Sequence, residues 1–170
     1  MSKKSYERIK NFSTTIAVEK TIAEIEKMLS KYGATKIMKE YDIDGNPVIL
    51  VFQIITEQGE VPIKLPVNTD KIRDVFKVQV SNKKLPNKFW NDPSFSKEQA
   101  SRVGWRIIKD WLDAQLTLLN IEMVKVSEIF LPYMYSDKLG KTMFEMLEER
   151  DFNLDLLEEH KDEKVINLET

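Results

Sequence analysis

The alternation of apolar and polar residues predicts an amphipathic helix near the start of the chain. Apolar side chains recur at helical spacing over residues 19–32 and therefore share one face. Thr21 and Glu24 have the spacing of a capping box, and Gly33 is a natural helix stop. Residues 12–16, which precede this helix, are compatible with a short strand or with an ordered lead-in.

Three strand-like runs follow the helix, at residues 35–41, 48–55 and 61–67. Turn sequences containing Gly45 and Gly59 separate them, since glycine adopts backbone angles that other residues avoid. This order predicts an antiparallel meander. In the middle run both alternating sets of side chains are apolar, which predicts a central strand covered on both faces. Proline cannot donate to a sheet ladder, so the two prolines of the third run predict an edge strand.

The pattern then becomes mainly helical. Asn68 can cap a short helix, and residues 96–122 carry the strongest helical periodicity, with a broad apolar face suited to cover the sheet. Residues 81–95 are rich in proline, asparagine and aspartate, and this composition predicts a long loop of the kind that often carries function. Residues 125–133 fit either a strand or a helix that Pro132 ends.

The end of the chain changes character. Thr142 and Glu145 can cap a last helix that runs to Arg150, after which residues 151–170 form an acidic tail that we expect to pack loosely. The elements together predict a single α+β domain over residues 1–150. In it an antiparallel meander of three strands, or of four, packs against helices, one of them long and in the C-terminal half.

The amino-acid composition limits the kinds of chemical site that the protein can form. The 170 residues include no cysteine, which excludes disulfides, thiolate catalysis and cysteine-ligated metal sites. The five glycines do not form a phosphate-binding loop, and no cofactor is predicted. The basic start of the chain lacks the apolar run of a secretory signal, and no apolar stretch is long enough to cross a bilayer. We therefore expect a cytoplasmic protein with no membrane partner.

Catalytic constellations are weak, and the pattern favours a non-enzymatic protein. His160 is the only histidine and has no serine or cysteine motif beside it, which argues against a triad. Residues 42–46 begin like a calcium loop, but a hairpin turn explains their Asp-Gly sequence better. A magnesium site could be assembled from Glu40, Asp42 and Glu57, although acids on strands more often face solvent.

The near-neutral net charge of −2 conceals an asymmetry along the chain. Residues 71–109 contain 10 basic and 3 acidic side chains, which gives 10 − 3 = +7. Residues 145–170 contain 3 basic and 10 acidic side chains, which gives 3 − 10 = −7. The acidic tail could cover the basic segment in cis, occupy a partner's basic groove, or simply solvate the terminus.

The basic segment is the candidate binding site, because lysine and arginine contact phosphates and loop aromatics can stack on unpaired bases. The predicted nucleic-acid-binding residues are Lys83, Lys84, Lys88, Phe89, Trp90, Arg102, Arg106 and Lys109. The last three fall on one ridge of the long helix. The alternative is an ordinary solvated helix edge beside a loop whose aromatic residues fold back onto the core.

One segment resembles a known group of proteins. The sequence GWRIIKDWLDAQL at residues 104–116, followed by IFLPY at residues 129–133, resembles a family of uncharacterised proteins carried by phages and other bacterial mobile elements. KYGA at residues 31–34 and LPVN at residues 65–68 fit the same resemblance. It implies a bacterial or phage setting without an established activity. Within this segment, both tryptophans are expected to pack in the helix interface.

These observations lead to one main functional hypothesis. We expect a phage or mobile-element accessory protein that binds nucleic acid or a nucleoprotein complex through the basic loop and helix edge. Two alternatives remain from other classes. One is a protein-binding, anti-CRISPR-like inhibitor of a host defence system, and the other is a small carboxylate-metal-dependent enzyme. The oligomeric state is open.

Overall fold

The protein is built around a three-stranded antiparallel sheet, which confirms the predicted meander. The computed structural model describes residues 7–56 and 59–153. Its strands are β1 (Ala34–Tyr41), β2 (Pro47–Thr56), β3 (Gly59–Pro66), β4 (Tyr135–Ser136) and β5 (Lys141–Thr142). Its helices are α1 (Val18–Lys31), α2 (Thr69–Ser81), α3 (Lys88–Asn91), α4 (Pro93–Asn120), α5 (Val126–Phe130) and α6 (Met143–Glu148), with a 3-10 turn at Leu131–Tyr133. The fold class is α+β.

The sheet order β1-β2-β3 confirms that the middle run is central and that the proline-containing run lies at an edge. Phe52 of β2 pairs with Ile37 of β1 and Ile63 of β3. Ile63 also forms an isolated bridge with Met134, so the outer side of β3 meets the segment that leads into β4. The two short strands β4 and β5 form a separate hairpin.

The expectation that β2 is covered on both faces was wrong. Leu50, Phe52 and Ile54 are buried on the face that packs against α1 and α4. On the other face Val51 is half-buried and Ile55 is 61% exposed. Apolar β-branched residues fit a pleated surface whether or not a second layer covers it, so their presence does not establish burial.

Helix α1 begins one turn earlier than its predicted capping box. Ala17 is the N-cap, and Thr21 lies inside the helix, fully buried, where its hydroxyl donates to the Ala17 carbonyl. The predicted Thr21–Glu24 capping box was therefore wrong. Gly33 does end the helix, with a φ of +85° that a side chain would disfavour. Residues 12–16 form a turn and a lead-in rather than a strand.

Helix α4 connects two apolar clusters. Trp105, Leu112 and Leu116 face the sheet and α1, whereas Ala100 and Val103 pack against residues of α2 and α3. The Trp105 indole is fully buried and donates its N–H to the Pro47 carbonyl at 3.0 Å. Trp111 packs edge-on against Phe130 and Tyr133, with ring centroids 5.8 and 5.4 Å away. Both tryptophans serve packing, as expected.

About half of the predicted long loop at residues 81–95 is helical. It contains α3 and the first turn of α4, and its Leu85 and Phe89 are buried. Asp92 accepts a hydrogen bond from the Phe95 N–H and caps α4, whose first residue is Pro93. The polar residues and prolines that predicted a loop thus begin a helix, since aspartate suits the N-cap and proline the first helical position.

The C-terminal part shows which of the two structures predicted for residues 125–133, strand or helix, is formed. Residues 125–133 form helix α5 and the 3-10 turn rather than a strand. The predicted capping box of the last helix is confirmed, because Thr142 and Glu145 exchange hydrogen bonds at the start of α6. Phe152 packs against Phe144 with ring centroids 5.6 Å apart. The rest of the acidic tail, with His160, lies outside the described residues.

Candidate nucleic-acid interface

The eight predicted binding residues fall into two groups. Lys83, Lys84, Lys88, Phe89 and Trp90 follow α2 and lead through α3, whereas Arg102, Arg106 and Lys109 lie on α4. On α4, Val103 and Ile107 pack against the α2–α3 cluster, and Arg102 and Arg106 precede them by one residue. One residue turns a helix by about 100°. Arg102 and Arg106 therefore lie about 100° around α4 from the residues that contact α2 and α3.

Phe89 is not available to stack on a base, which corrects the prediction for this residue. It is 5% exposed and belongs to the apolar cluster between α2, α3 and α4. Its ring packs edge-on against Phe76 at 5.1 Å and against Phe95 at 5.3 Å. The alternative, in which a loop aromatic folds back onto the core, is correct here because α3 turns this side chain inward.

Trp90, the neighbouring residue, is only half-buried and is surrounded by cations. The Arg73 guanidinium carbon lies 5.7 Å from the centroid of its ring, and Lys77 Nζ lies 5.0 Å from it. Cations within about 6 Å of an indole are attracted by its electron-rich face. Lys88, from the same short helix, places its Nζ 4.5 Å from the Phe95 ring centroid. Two cations thus lie at the Trp90 ring and a third at the Phe95 ring, where α2, α3 and the start of α4 join.

Arg73 and Lys77 were not among the predicted site residues. A sequence signal did exist, because the two cations lie one turn apart in a helix that Asn68 caps, with its side-chain oxygen 2.9 Å from the Lys71 N–H. That spacing places them on the same side of α2. What the sequence did not indicate is that this side faces Trp90, since the packing of α3 against α2 decides the contact.

The α4 cations are already paired with carboxylates. Arg102 binds Glu98 one turn earlier on the same helix. Arg106 binds Glu24 of α1 at 2.6 Å, with only 16% of its side chain exposed, and Lys109 binds Asp113 at 3.6 Å. A phosphate would have to compete with each carboxylate. This ridge is therefore a weaker phosphate-binding candidate than the α2–α3 region.

The cations of α2, α3 and the turn between them are mostly unpaired. Residues 69–92 contain 6 basic and 3 acidic side chains, a balance of 6 − 3 = +3. Within the described residues Lys77, Lys83 and Lys88 form no ion pair, and Arg73 approaches Asp70 only to 4.0 Å. We call the set Arg73, Lys77, Lys83, Lys84, Lys88 and Trp90 the α2–α3 surface. Within it, Lys77, Lys83 and Lys88 can attract an anionic ligand without first breaking an ion pair to a described residue.

A cleft of about 530 Å³ lies between the start of α1, the turn that joins β1 to β2, and α4. Lys97 of α4 reaches across it to Asp44 and lies 3.9 Å from Asp42. Lys97 donates a hydrogen bond to the Asp44 carboxylate, which raises the pKa of Lys97, and the backbone N–H of Asn46 donates to Asp42 and lowers the pKa of that carboxyl. The acids here outnumber the cations, so the cleft does not attract a phosphate.

The hydrogen bonds that Asp42 accepts show which structure residues 42–46 adopt, a hairpin turn or the start of a calcium loop. One Asp42 oxygen accepts from the N–H groups of Asp44 and Asn46 at 3.0 and 2.8 Å, and Gly45 has a φ of +79°. This is a hairpin turn stabilised by its aspartate. Among residues 7–56 and 59–153 no group of three or more acids and histidines could hold a metal ion. Glu57, the third acid of the suggested magnesium site, lies outside those ranges.

Comparison with protein-family models, with curated proteins and with solved structures gives no match for this chain. In the part of the chain that the structure describes, no helix has the length and apolar character needed to span a bilayer.

Proposed function

We propose that the protein binds single-stranded nucleic acid through the α2–α3 surface. The observation that supports this most is the half-buried Trp90 with Arg73 and Lys77 at its ring. Proteins that bind single strands combine cations that follow the phosphate backbone with aromatic rings on which bases stack. The α2–α3 surface supplies both chemistries at one place.

The charge arrangement supports a ligand with a repeating negative charge. Lys77, Lys83 and Lys88 form no ion pair within the described residues, so binding a phosphate there releases counterions without displacing a carboxylate. The paired cations of α4 lack this advantage. An accessory role in a phage or mobile element, acting on nucleic acid or a nucleoprotein complex, agrees with the resemblance of residues 104–116 and is part of the proposal.

The first experiment measures how binding depends on salt. Each phosphate contact contributes a slope of about −0.7 to −0.9 to the plot of log K against log salt. Substitution of Lys77, Lys83 and Lys88 by glutamine should therefore make the slope shallower by about 2 to 3. The matched control replaces three exposed lysines elsewhere that form no ion pair with a described residue, namely Lys20, Lys27 and Lys138. It has the same net charge and should retain most of the slope.

The second experiment tests the role of Trp90. Trp90→Ala should weaken binding of a single-stranded oligonucleotide by the stacking energy of one base, about 1–3 kcal/mol, and affect duplex binding less. Because Trp105 is buried and Trp111 packs against Phe130, quenching of tryptophan fluorescence by the single strand should come mainly from Trp90. A thermal melt of the variant shows that the fold is retained.

Two further variants separate the alternatives. Arg102→Gln with Lys109→Gln should weaken binding less than the α2–α3 substitutions, because both cations are held by carboxylates. A chain that ends at Asn153 should bind more tightly if the acidic tail competes for the same surface, and equally if it does not. No measurable binding of either form at low salt contradicts the proposal and would favour the inhibitor alternative.

A further inference from the structure

The two edges of the main sheet differ in how they are protected. Strand β3 carries Pro62 and Pro66, and the bridge between Ile63 and Met134 occupies part of its outer side. Strand β1 has eight residues without proline, and no strand in the described parts of the chain pairs with its outer side. Between Lys36 and Glu40, where its pairing with β2 is regular, the outer side of β1 presents backbone donors and acceptors to which another strand can add.

The exposed side chains of β1 alternate in a regular way. Lys36, Met38 and Glu40 lie on the face that points away from α1, as their pairing with Gln53, Val51 and Ile49 fixes. The side chains of Lys36 and Glu40 are 70% and 40% exposed, and Met38 is 55% exposed. An exposed apolar residue is therefore flanked, two residues away on each side, by opposite charges.

The charges along β1 are complementary to those of a second, antiparallel copy of the same strand. When two identical strands pair antiparallel about a two-fold axis perpendicular to the sheet, opposed residues share a face, and the axis lies midway between the two copies of one central residue. With Met38 at the axis, Lys36 of each copy lies opposite Glu40 of the other. With the axis at Ile37, Lys36 faces Met38, and with the axis at Lys39 the two Lys39 side chains face each other. Among these three registers, only the one at Met38 aligns opposite charges within Ala34–Tyr41.

We propose that two copies of this chain associate through β1, antiparallel about Met38, and extend the three-stranded sheet into one of six strands. Lys39 does not oppose this arrangement, because it lies on the helical face and binds Glu26 of α1 at 2.8 Å. The existing pairs Lys36–Glu60 at 3.7 Å and Lys64–Glu40 at 3.3 Å involve exposed groups, and such pairs cost little to exchange. This proposal is independent of nucleic-acid binding.

Charge reversal tests the register directly. Sedimentation over a wide dilution series should show the intact protein passing from the 19.9 kDa chain to twice that mass. Lys36→Glu or Glu40→Lys alone places like charges opposite each other at two positions, and should raise the dimer dissociation constant about tenfold or more. The double variant Lys36→Glu with Glu40→Lys restores opposite charges and should restore the dimer. The control Lys138→Glu reverses an exposed lysine in the β4–β5 turn and should leave association unchanged.

A mixing experiment makes the test specific to two copies. Equal amounts of the Lys36→Glu and Glu40→Lys single variants should form a mixed dimer, because each charge then faces its opposite. A chain that stays monomeric at every concentration overturns the proposal. So does a dimer whose dissociation constant neither single variant changes, since that dimer would use another surface. A melting temperature for each single variant close to that of the intact chain, at a dilution where all are monomeric, excludes unfolding as the cause.

Discussion

Gly104 of α4 and Val67, just after β3, lie so close that no side chain fits between them. A methyl group added at Gly104 would come 2.5 Å from Val67 Cγ1 and 2.9 Å from Ile72 Cδ1. Both distances are shorter than carbon atoms tolerate without movement. The absence of a side chain at Gly104 lets the long helix approach the junction between the sheet and α2.

Gly104→Ala should therefore destabilise the protein, although alanine is the better helix former. The gain in helix propensity is about 1 kcal/mol, whereas overpacking a dense core typically costs about 1–3 kcal/mol, so we expect a net loss of about 1 kcal/mol. Denaturant unfolding measures it. In a Val67→Ala background the same substitution should cost less, and an equal cost in both backgrounds would show that the contact with Val67 is not the cause.

The two faces of β2 should differ in their tolerance of substitution. Phe52 is fully buried and packs edge-on against Phe130 at 5.7 Å, so Phe52→Ala should cost about 3–5 kcal/mol. Val51 is half-buried on the open face, so Val51→Ala should cost about 1 kcal/mol or less. Thermal or denaturant unfolding of both variants is the measurement. Similar losses would mean that a second layer covers the open face.

Gln53 of β2 places a polar side-chain atom in a buried position. Its side-chain oxygen is buried and has no hydrogen-bond partner among the described residues, and such a group costs about 1–3 kcal/mol. Gln53→Met keeps the side-chain length and removes the unsatisfied acceptor, so it should leave stability unchanged or raise it by about 1 kcal/mol. Gln99→Met is the contrasting variant, because Gln99 donates to the carbonyls of Phe12 and Thr14, both at 2.8 Å. It should destabilise.

The cap of α6 should weaken in acid. Hydrogen bonds from the Thr142 N–H and hydroxyl hold the pKa of Glu145 below its ordinary value of 4.5. A carboxyl whose folded pKa is lowered stabilises the fold above its unfolded pKa, and the contribution is lost as pH falls through the folded value. An NMR titration of the Glu145 carboxyl should show this lowered pKa, and Thr142→Ala should raise it. In Glu145→Gln the amide exchange of α6 should lose the corresponding pH dependence.

Local signals in the sequence identified most elements because their physics is local. Asn68 and Thr142 cap the helices for which they were suggested, since an N-cap needs only a side chain and backbone groups two or three residues away. Gly33 and Gly45 mark a helix stop and a turn because their positive φ angles favour glycine in any context. The Thr21–Glu24 pair has the same local pattern and failed, because the core buries Thr21 one turn inside the helix.

The sequence by itself determined the α+β class, the meander and its edge strand, and the long helix, because periodicity, proline and glycine act over a few residues. Tertiary packing alone decided which of two adjacent aromatic residues, Phe89 or Trp90, reaches solvent. It also decided that Arg106 pairs with Glu24, 82 positions away in the chain, and that one face of β2 is only partly covered. Burial and charge pairing depend on which distant segments meet, and no local pattern encodes that.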